Sequence, residues 1–170
     1  MNHELSIAIK AAKAGGRELY NIRHNPDEQL KTDIKPDGSN VTNGDLASSK
    51  VITSILQSEF PDIFILDEEN PESHTASRPD TFWLLDPNDG TTDYIEGGKE
   101  YSVMISKIQN GKSVLGVVYF PESKETFYAA LGEGAWRMAE GEEPKQLSVP
   151  EETPDSIIGI LSSNGRNYKT

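Results

Sequence analysis

Trp83-Leu84-Leu85-Asp86-Pro87-Asn88-Asp89-Gly90-Thr91-Thr92-Asp93 holds the densest chemistry in this 170-residue sequence. An apolar run ends on a carboxylate, a proline breaks it, and a second carboxylate stands three residues after the first. Gly90-Thr91-Thr92 then opens a helical turn, whose free backbone N–H groups face an anion. Two acids beside an anion cradle suit chemistry on a phosphate held by divalent metal. Two more acidic spots are locally unusual. Asp45 closes Gly38-Ser39-Asn40-Val41-Thr42-Asn43-Gly44-Asp45, and Glu68 and Glu69 follow the apolar run Ile63-Phe64-Ile65-Leu66.

Each acid taken singly reads as a loop residue, and Asp45 as a residue favouring the positive end of a helix dipole. Taken together they carry more. If the two apolar runs are neighbouring strands, their acids converge, and two like charges at ~4 Å cost on the order of 4 kcal/mol at an effective dielectric near 20. Either a cation offsets that cost or the acids protonate. Oxygen ligands suit Mg²⁺, Mn²⁺ or Ca²⁺ rather than zinc. Several carboxylates around a small gap suit a two-metal displacement on phosphorus.

Two other motifs fail. The haloacid-dehalogenase phosphatases place an aspartate nucleophile two residues before the second Asp, where this sequence has Pro87. An EF-hand loop counted from Asp86 needs its glycine at the sixth position, whereas Gly90 is the fifth and no acid follows at the twelfth.

The elements that must position these residues are marked by periodicity. Leu5, Ala8, Ile9, Ala12, Gly16, Leu19 and Tyr20 predict a helix over 4–23, and Leu46, Ile52, Ile55, Leu56 and Phe60 a second over 44–59, stopped by Pro61. Residues 25–40 read as a loop or irregular hairpin, and 70–80 as loop. Strand patterns cover 63–66, 82–85, 101–108, 113–120, 126–130, 135–138, 146–149 and 157–161, with hairpin signals at Asn110-Gly111 and Glu140-Gly141. Two helices followed by hairpin-linked strands give an α+β two-layer domain.

Composition narrows the function classes. A net charge of −12 with no Lys/Arg cluster argues against polymeric nucleic acid as a partner. No cysteine means no disulfide framework, thiolate nucleophile or Cys-bound zinc. No apolar run matches a bilayer and no signal-peptide pattern opens the chain, so a cytoplasmic location without membrane partners is expected. His3, His24 and His74 sit in polar surroundings without ligand spacing and read as surface. Trp83 and Trp136 read as core, and Glu140, Glu142 and Glu143 as a solvated charge run.

These residues resemble the inositol monophosphatase-like, lithium-sensitive, Mg²⁺-dependent phosphatases. Three ordered motifs carry the resemblance: Asp37 to Asp45, Leu66-Asp67-Glu68-Glu69-Asn70, and Trp83 to Thr92. Leu115-Gly116-Val117-Val118-Tyr119 and Leu131-Gly132-Glu133-Gly134-Ala135-Trp136 also look like family segments. The resemblance implies that Glu68 and Asp86 bind a first metal with the backbone carbonyl of Asn88. Asp86 then bridges to a second metal that Asp89 also holds. Asp45 and Thr91 position and activate the attacking water, with Glu68 assisting, and the N–H groups of Gly90 and Thr91 hold the phosphate. In-line attack leaves no phospho-enzyme. Asp67 departs from the Gly or Ser of many relatives, which alters local packing.

Further expectations follow from the same resemblance. The fold is two N-terminal helices on a mostly antiparallel sheet, the N-terminal half of the family's sandwich. Residues 1–170 form a single metal-binding phosphatase domain without the family's C-terminal α/β half. That half carries a Trp-Asp motif completing the second of the family's two or three Mg²⁺ sites, so the second site is incomplete here. The partner is that missing half, or a second copy in a homodimer, docking on an exposed apolar face. Asp93-Tyr94-Ile95-Glu96-Gly97 looks closer to the 3′(2′),5′-bisphosphate nucleotidases than to the inositol monophosphatases. The expected substrate is a small phosphorylated metabolite, 3′-phosphoadenosine 5′-phosphate ahead of inositol 1-phosphate. The rival class is a non-catalytic metal- or phosphate-binding half-domain or subunit.

Overall fold

Asn2 starts the first helix in the computed structural model of the protein, which describes residues 2–148. Its side-chain oxygen accepts a hydrogen bond from the Leu5 N–H at 2.8 Å. Helix α1 runs His3–His24, with Glu4 in its first turn and Arg23 and His24 in its last, the charge order that the helix dipole favours. Helix α2 (Asn43–Glu59) begins at Thr42, whose hydroxyl accepts from the Gly44 and Asp45 N–H groups while the Asp45 carboxylate accepts from the Thr42 N–H. That reciprocal pair is a capping box. The run at 25–40 forms a short antiparallel hairpin, β1 (Thr32–Ile34) with β2 (Asn40–Thr42), leading directly into the cap.

A seven-stranded sheet follows the helices, in the order β3 (Phe64–Asp67), β4 (Thr81–Asp89), β5 (Ser102–Gln109), β6 (Lys112–Phe120), β7 (Glu125–Ala130), β8 (Gly134–Ala139) and β9 (Lys145–Leu147). From β4 onward neighbouring strands are antiparallel, and among the described residues only β3 and β4 pair in parallel. Asn110 and Gly111, both at positive φ, make the tight turn between β5 and β6. The architecture is therefore the expected α+β one. The 70–80 segment differs from the expected loop. Asn70 caps a short helix, α3 (Pro71–Thr75), with proline in its first turn. Helix α4 (Thr91–Glu96) follows β4. The strand expected at 157–161 lies outside the described residues.

Strand alternation decides which side chains face the helices. Trp83 and Leu85 of β4 are buried against α1 and α2, while Leu84 between them is 42% exposed. Trp83 is core as expected, and Trp136 is partly buried at its margin. The opposite face of the sheet is also apolar. Leu84, Met104, Val118, Phe127 and Leu147 line a groove of about 670 Å³ there. This is the exposed apolar face that the sequence predicts. No described helix is long and apolar enough to cross a membrane.

Where α1 crosses α2, Gly15 leaves no room for a side chain. A Cβ on it would lie 2.5 Å from Ile52 Cδ1 and 2.6 Å from Ser48 Oγ. Ile52 is fully buried and cannot step aside. Gly15→Ala gains up to ~1 kcal/mol of helix propensity but incurs overpacking of about 1–3 kcal/mol. The expected net result is a domain destabilised by about 1–2 kcal/mol, read from the urea midpoint. Ser48 Oγ also donates to the Pro87 carbonyl at 2.9 Å, so the disturbance reaches the strand carrying Asp86.

Candidate active site

The parallel pairing of β3 with β4 brings the acids together. Asp67 lies opposite Leu85, and the Glu68 N–H donates to the Leu85 carbonyl at 3.0 Å, so Glu68 and Asp86 leave adjacent strands side by side. Pro87 has no N–H for the ladder, and the register with β5 slips between Asp86 and Asp89. The resulting bulge re-aims the strand end. The Asn88 N–H donates to Asp86 Oδ1 at 3.0 Å, fixing that carboxyl in a tight local turn. Gly90 then turns the chain at φ +91°. A Cβ there would meet the Glu100 carbonyl oxygen at 2.7 Å.

Asp45 reaches the same place from α2. It is 1% exposed, and its Oδ2 accepts from the Thr42 N–H at 3.0 Å, from the Thr42 hydroxyl and from Asn88 Nδ2 at 3.3 Å. Its Oδ1 lies 3.2 Å from Thr91 Oγ1, which is also 3.0 Å from the Asn88 carbonyl. Asp45 is thus both the helix cap of the bland reading and a partner of Thr91. The structure places Asp45, Asn88 and Thr91 in one cluster and Glu68, Asp86 and Asp89 in an adjoining one. Gly90 joins Asp89 to Thr91.

Electrostatics mark the second cluster. Burial, then the charges of Glu68 and Asp89, push the Asp86 carboxyl up to about 7. Burial and the Glu68 charge raise Asp89 as well. Burial raises Glu69, against the opposing pull of Lys35. Sequence reasoning missed Lys35. From the turn after β1 its Nζ reaches Glu68 Oε1 at 2.9 Å and Glu69 Oε1 at 2.7 Å. Burial works against that ammonium, but hydrogen bonds and charge from Glu69 and Glu68 outweigh it and hold its pKa above the ordinary lysine value.

The donor set fits a hard cation by chemistry. It offers carboxylate oxygens, the Asn88 carbonyl, and Asn88 Oδ1, which is buried with no hydrogen-bond partner. No group of three or more His, Cys, Asp or Glu among the described residues is arranged to hold a metal ion. Lys35 supplies positive charge to both Glu68 and Glu69.

Other expectations change around the site. Asp67 is a tie between elements. Its Oδ2 accepts from Ser49 Oγ at 2.5 Å, and its backbone carbonyl lies 2.8 Å from His74 Nε2. His74 lies at the surface, as the sequence expects, and so does the side chain of His24, which is 41% exposed with its Nε2 2.8 Å from Glu122 Oε1. The Thr42-x-x-Asp45 spacing was the signal that could have found the cap. Nothing in the local sequence pointed to Lys35.

Two helices lie on a mostly antiparallel sheet, with acids gathered where two parallel strands end, which makes this an α+β domain. The chain belongs to the inositol monophosphatase family, whose model matches residues 1–169. It is 40% identical over 125 residues to the 3′(2′),5′-bisphosphate nucleotidase CysQ of Salmonella typhimurium, covering 73% of this chain and 50% of that protein. It is 37% identical over 135 residues to the Nus factor SuhB of Pasteurella multocida, covering 79% of this chain and 50% of that one. The solved structure of a Thermotoga maritima IMPase matches with a TM-score of 0.73 at 29% identity, over 88% of this chain and 55% of that chain. CysQ from Bacteroides thetaiotaomicron matches at 0.64 and 29%, over 89% and 52%. The chain spans about half the length of the curated relatives it matches.

Proposed function

We propose that this chain is the metal-binding part of a Mg²⁺-dependent phosphomonoesterase acting on a small phosphorylated metabolite. Residues 1–170 serve as one domain that works with a C-terminal half. The observation that carries the reading is the convergence of Glu68, Asp86 and Asp89 beside the Asp45–Thr91 pair at 3.2 Å. The favoured substrate is 3′-phosphoadenosine 5′-phosphate, ahead of inositol 1-phosphate. Its support is the likeness to proteins named 3′(2′),5′-bisphosphate nucleotidase and the Asp93-Tyr94-Ile95-Glu96-Gly97 segment.

Glu68, Asp86, the Asn88 backbone carbonyl and Asp89 would hold the cation once Lys35 gives up Glu68 and the carboxyls turn inward, because as they stand they are not arranged as a ligand group. Bound there, Mg²⁺ would act as a Lewis acid toward the phosphoryl oxygens and lower the pKa of a coordinated water. The Thr91 hydroxyl, donating to Asp45 Oδ1, keeps an oxygen lone pair free to accept a proton from water as its own proton passes to Asp45. Asn88 Nδ2 and the Thr42 N–H hold the other Asp45 oxygen, so the carboxylate cannot swing away. Gly90 and Thr91 would present their N–H groups to the phosphate. Lys35 competes for Glu68 and has to yield it, or share it, when a cation binds.

The test is Mg²⁺-dependent release of inorganic phosphate from both substrates by the 170-residue chain, with lithium as an inhibitor control. Asp89→Asn is expected to abolish release without changing the circular dichroism spectrum. Turnover like that of the wild type in this variant would sink the site assignment. Cation binding with no release, either by the chain alone or with a relative's C-terminal half supplied in trans, would favour the non-catalytic reading, a binding half-domain.

A further inference from the structure

Arg23 brings a full charge into the packing between α1 and the site, and one of its nitrogens has no hydrogen bond. The Arg23 side chain is only 12% exposed, and its Nη1 is buried without a hydrogen-bond partner. Glu122 Oε1 lies 3.7 Å from Nη1, an ion-pair distance too long for a hydrogen bond. Two aromatic faces supply the remaining compensation. The guanidinium carbon is 5.7 Å from the Tyr94 ring centroid and 5.2 Å from that of Tyr101, and the two rings meet edge to face at 4.8 Å. Glu122 is itself held by His24 at 2.8 Å and by the Tyr101 hydroxyl at 3.0 Å.

Those rings flank one short piece of chain. Tyr94 is on α4, Tyr101 directly precedes β5, and Gly97 and Gly98 lie between them. A six-residue helix does not hold itself in place, and Gly90 at its start offers no side-chain cap. Its orientation is therefore set from outside. The Tyr94 hydroxyl donates to the Leu19 carbonyl at 2.8 Å, and the Arg23 side chain lies against both rings. Burial, then the Asp45 charge, keep the Tyr94 phenol protonated and so able to donate. At the other end of the same helical turn stands Thr91, beside Asp45.

We infer that Arg23 is a positioning residue. It clamps Tyr94 against Tyr101, which fixes α4 and keeps Thr91 within reach of Asp45. The inference rests on the reading of Asp45 and Thr91 as the water-activating pair. The clamp itself is a property of the fold and can be measured without turnover.

The experiment is amide hydrogen exchange on the 170-residue chain, wild type against Arg23→Met and Arg23→Lys, with Mn²⁺ affinity measured by electron paramagnetic resonance. In Arg23→Met the α4 amides, including that of Tyr94, are expected to exchange about tenfold faster. Core amides such as those of Ile52 and Val117 stay within about twofold. Mn²⁺ affinity stays within about threefold, because the acids that would hold it lie at the ends of β3 and β4. Arg23→Lys keeps a cation beside the rings without the planar fork. It gives the same selective pattern at about two- to threefold, and it decides the matter if the methionine variant does not fold. Unchanged α4 exchange, equal acceleration throughout the core, or a parallel fall in Mn²⁺ affinity would overturn the clamp. If the wild type binds no Mn²⁺ yet the α4-selective pattern appears, the clamp stands and the phosphatase reading is what fails.

Discussion

Asp86→Asn is expected to make the cation-free domain more stable at pH 8 while abolishing its affinity for Mg²⁺. The Asp86 carboxyl is pushed from the ordinary aspartate value of 3.8 up to about 7, by burial first and then by Glu68. In the unfolded chain it ionises near the ordinary value. Between pH 4 and 7 the folded state therefore holds a proton that the unfolded state has lost, and stability falls as pH rises through that window. The stability is fully present below the unfolded value and gone above the folded one. At ~1.4 kcal/mol per pK unit the loss is on the order of 4 kcal/mol. Asparagine resembles the neutral acid in shape and cannot ionise, so the variant should match the wild type near pH 4 and exceed it at pH 8. Urea midpoints from pH 4 to 8 in a chelator measure both slopes. Added Mg²⁺ should stabilise the wild type at pH 8 and leave the variant unmoved. A gap between variant and wild type that does not widen as pH rises across this window would show that Asp86 carries no such penalty.

How legible the site was depended on the distance over which each contact forms. The strand carrying Trp83 and Leu85 could be read from alternation, and the break at Asp86-Pro87 from a missing N–H, because both act within a few residues. The convergence of Glu68 with Asp86 needed one further condition, that two strands be neighbours, and their parallel pairing meets it. Helix α3 was also locally signalled, by Asn70 before Pro71, but its five residues are too few for periodicity to register. The contacts of Lys35 were not legible. They join a turn to acids 33 and 34 residues away, and a lysine among Asp33, Asp37 and Glu28 looks like any solvated charge. Arg23 escaped for a similar reason. A basic residue at the end of a helix already has a sufficient explanation in the dipole, so nothing in the pattern asks for the two tyrosines some 70 residues on.

Asp45 gives the sharpest separation between holding the fold and doing chemistry, because two substitutions should part company there. Asp45→Ala removes the acceptor for the Thr42 N–H and for Asn88 Nδ2, at a site that is 1% exposed. Each of these two buried donors left unpaired costs about 1–3 kcal/mol, while the Thr42 hydroxyl still caps the helix. A destabilisation of about 3 kcal/mol is expected, with loss of any phosphate release. Asp45→Asn keeps the shape and one carbonyl oxygen, so the cap survives in weakened form and stability should fall by only about 1 kcal/mol. An amide cannot take up the proton that Thr91 would pass on. Hydrolysis should therefore drop about 100-fold or more in a domain that is still folded, the range in which loss of a general base is felt. Urea unfolding and phosphate release measured on both variants separate the two roles. If Asp45→Asn keeps its turnover, the carboxylate is only a helix cap, and the short path from Asp45 through Thr91 would have to be read as packing.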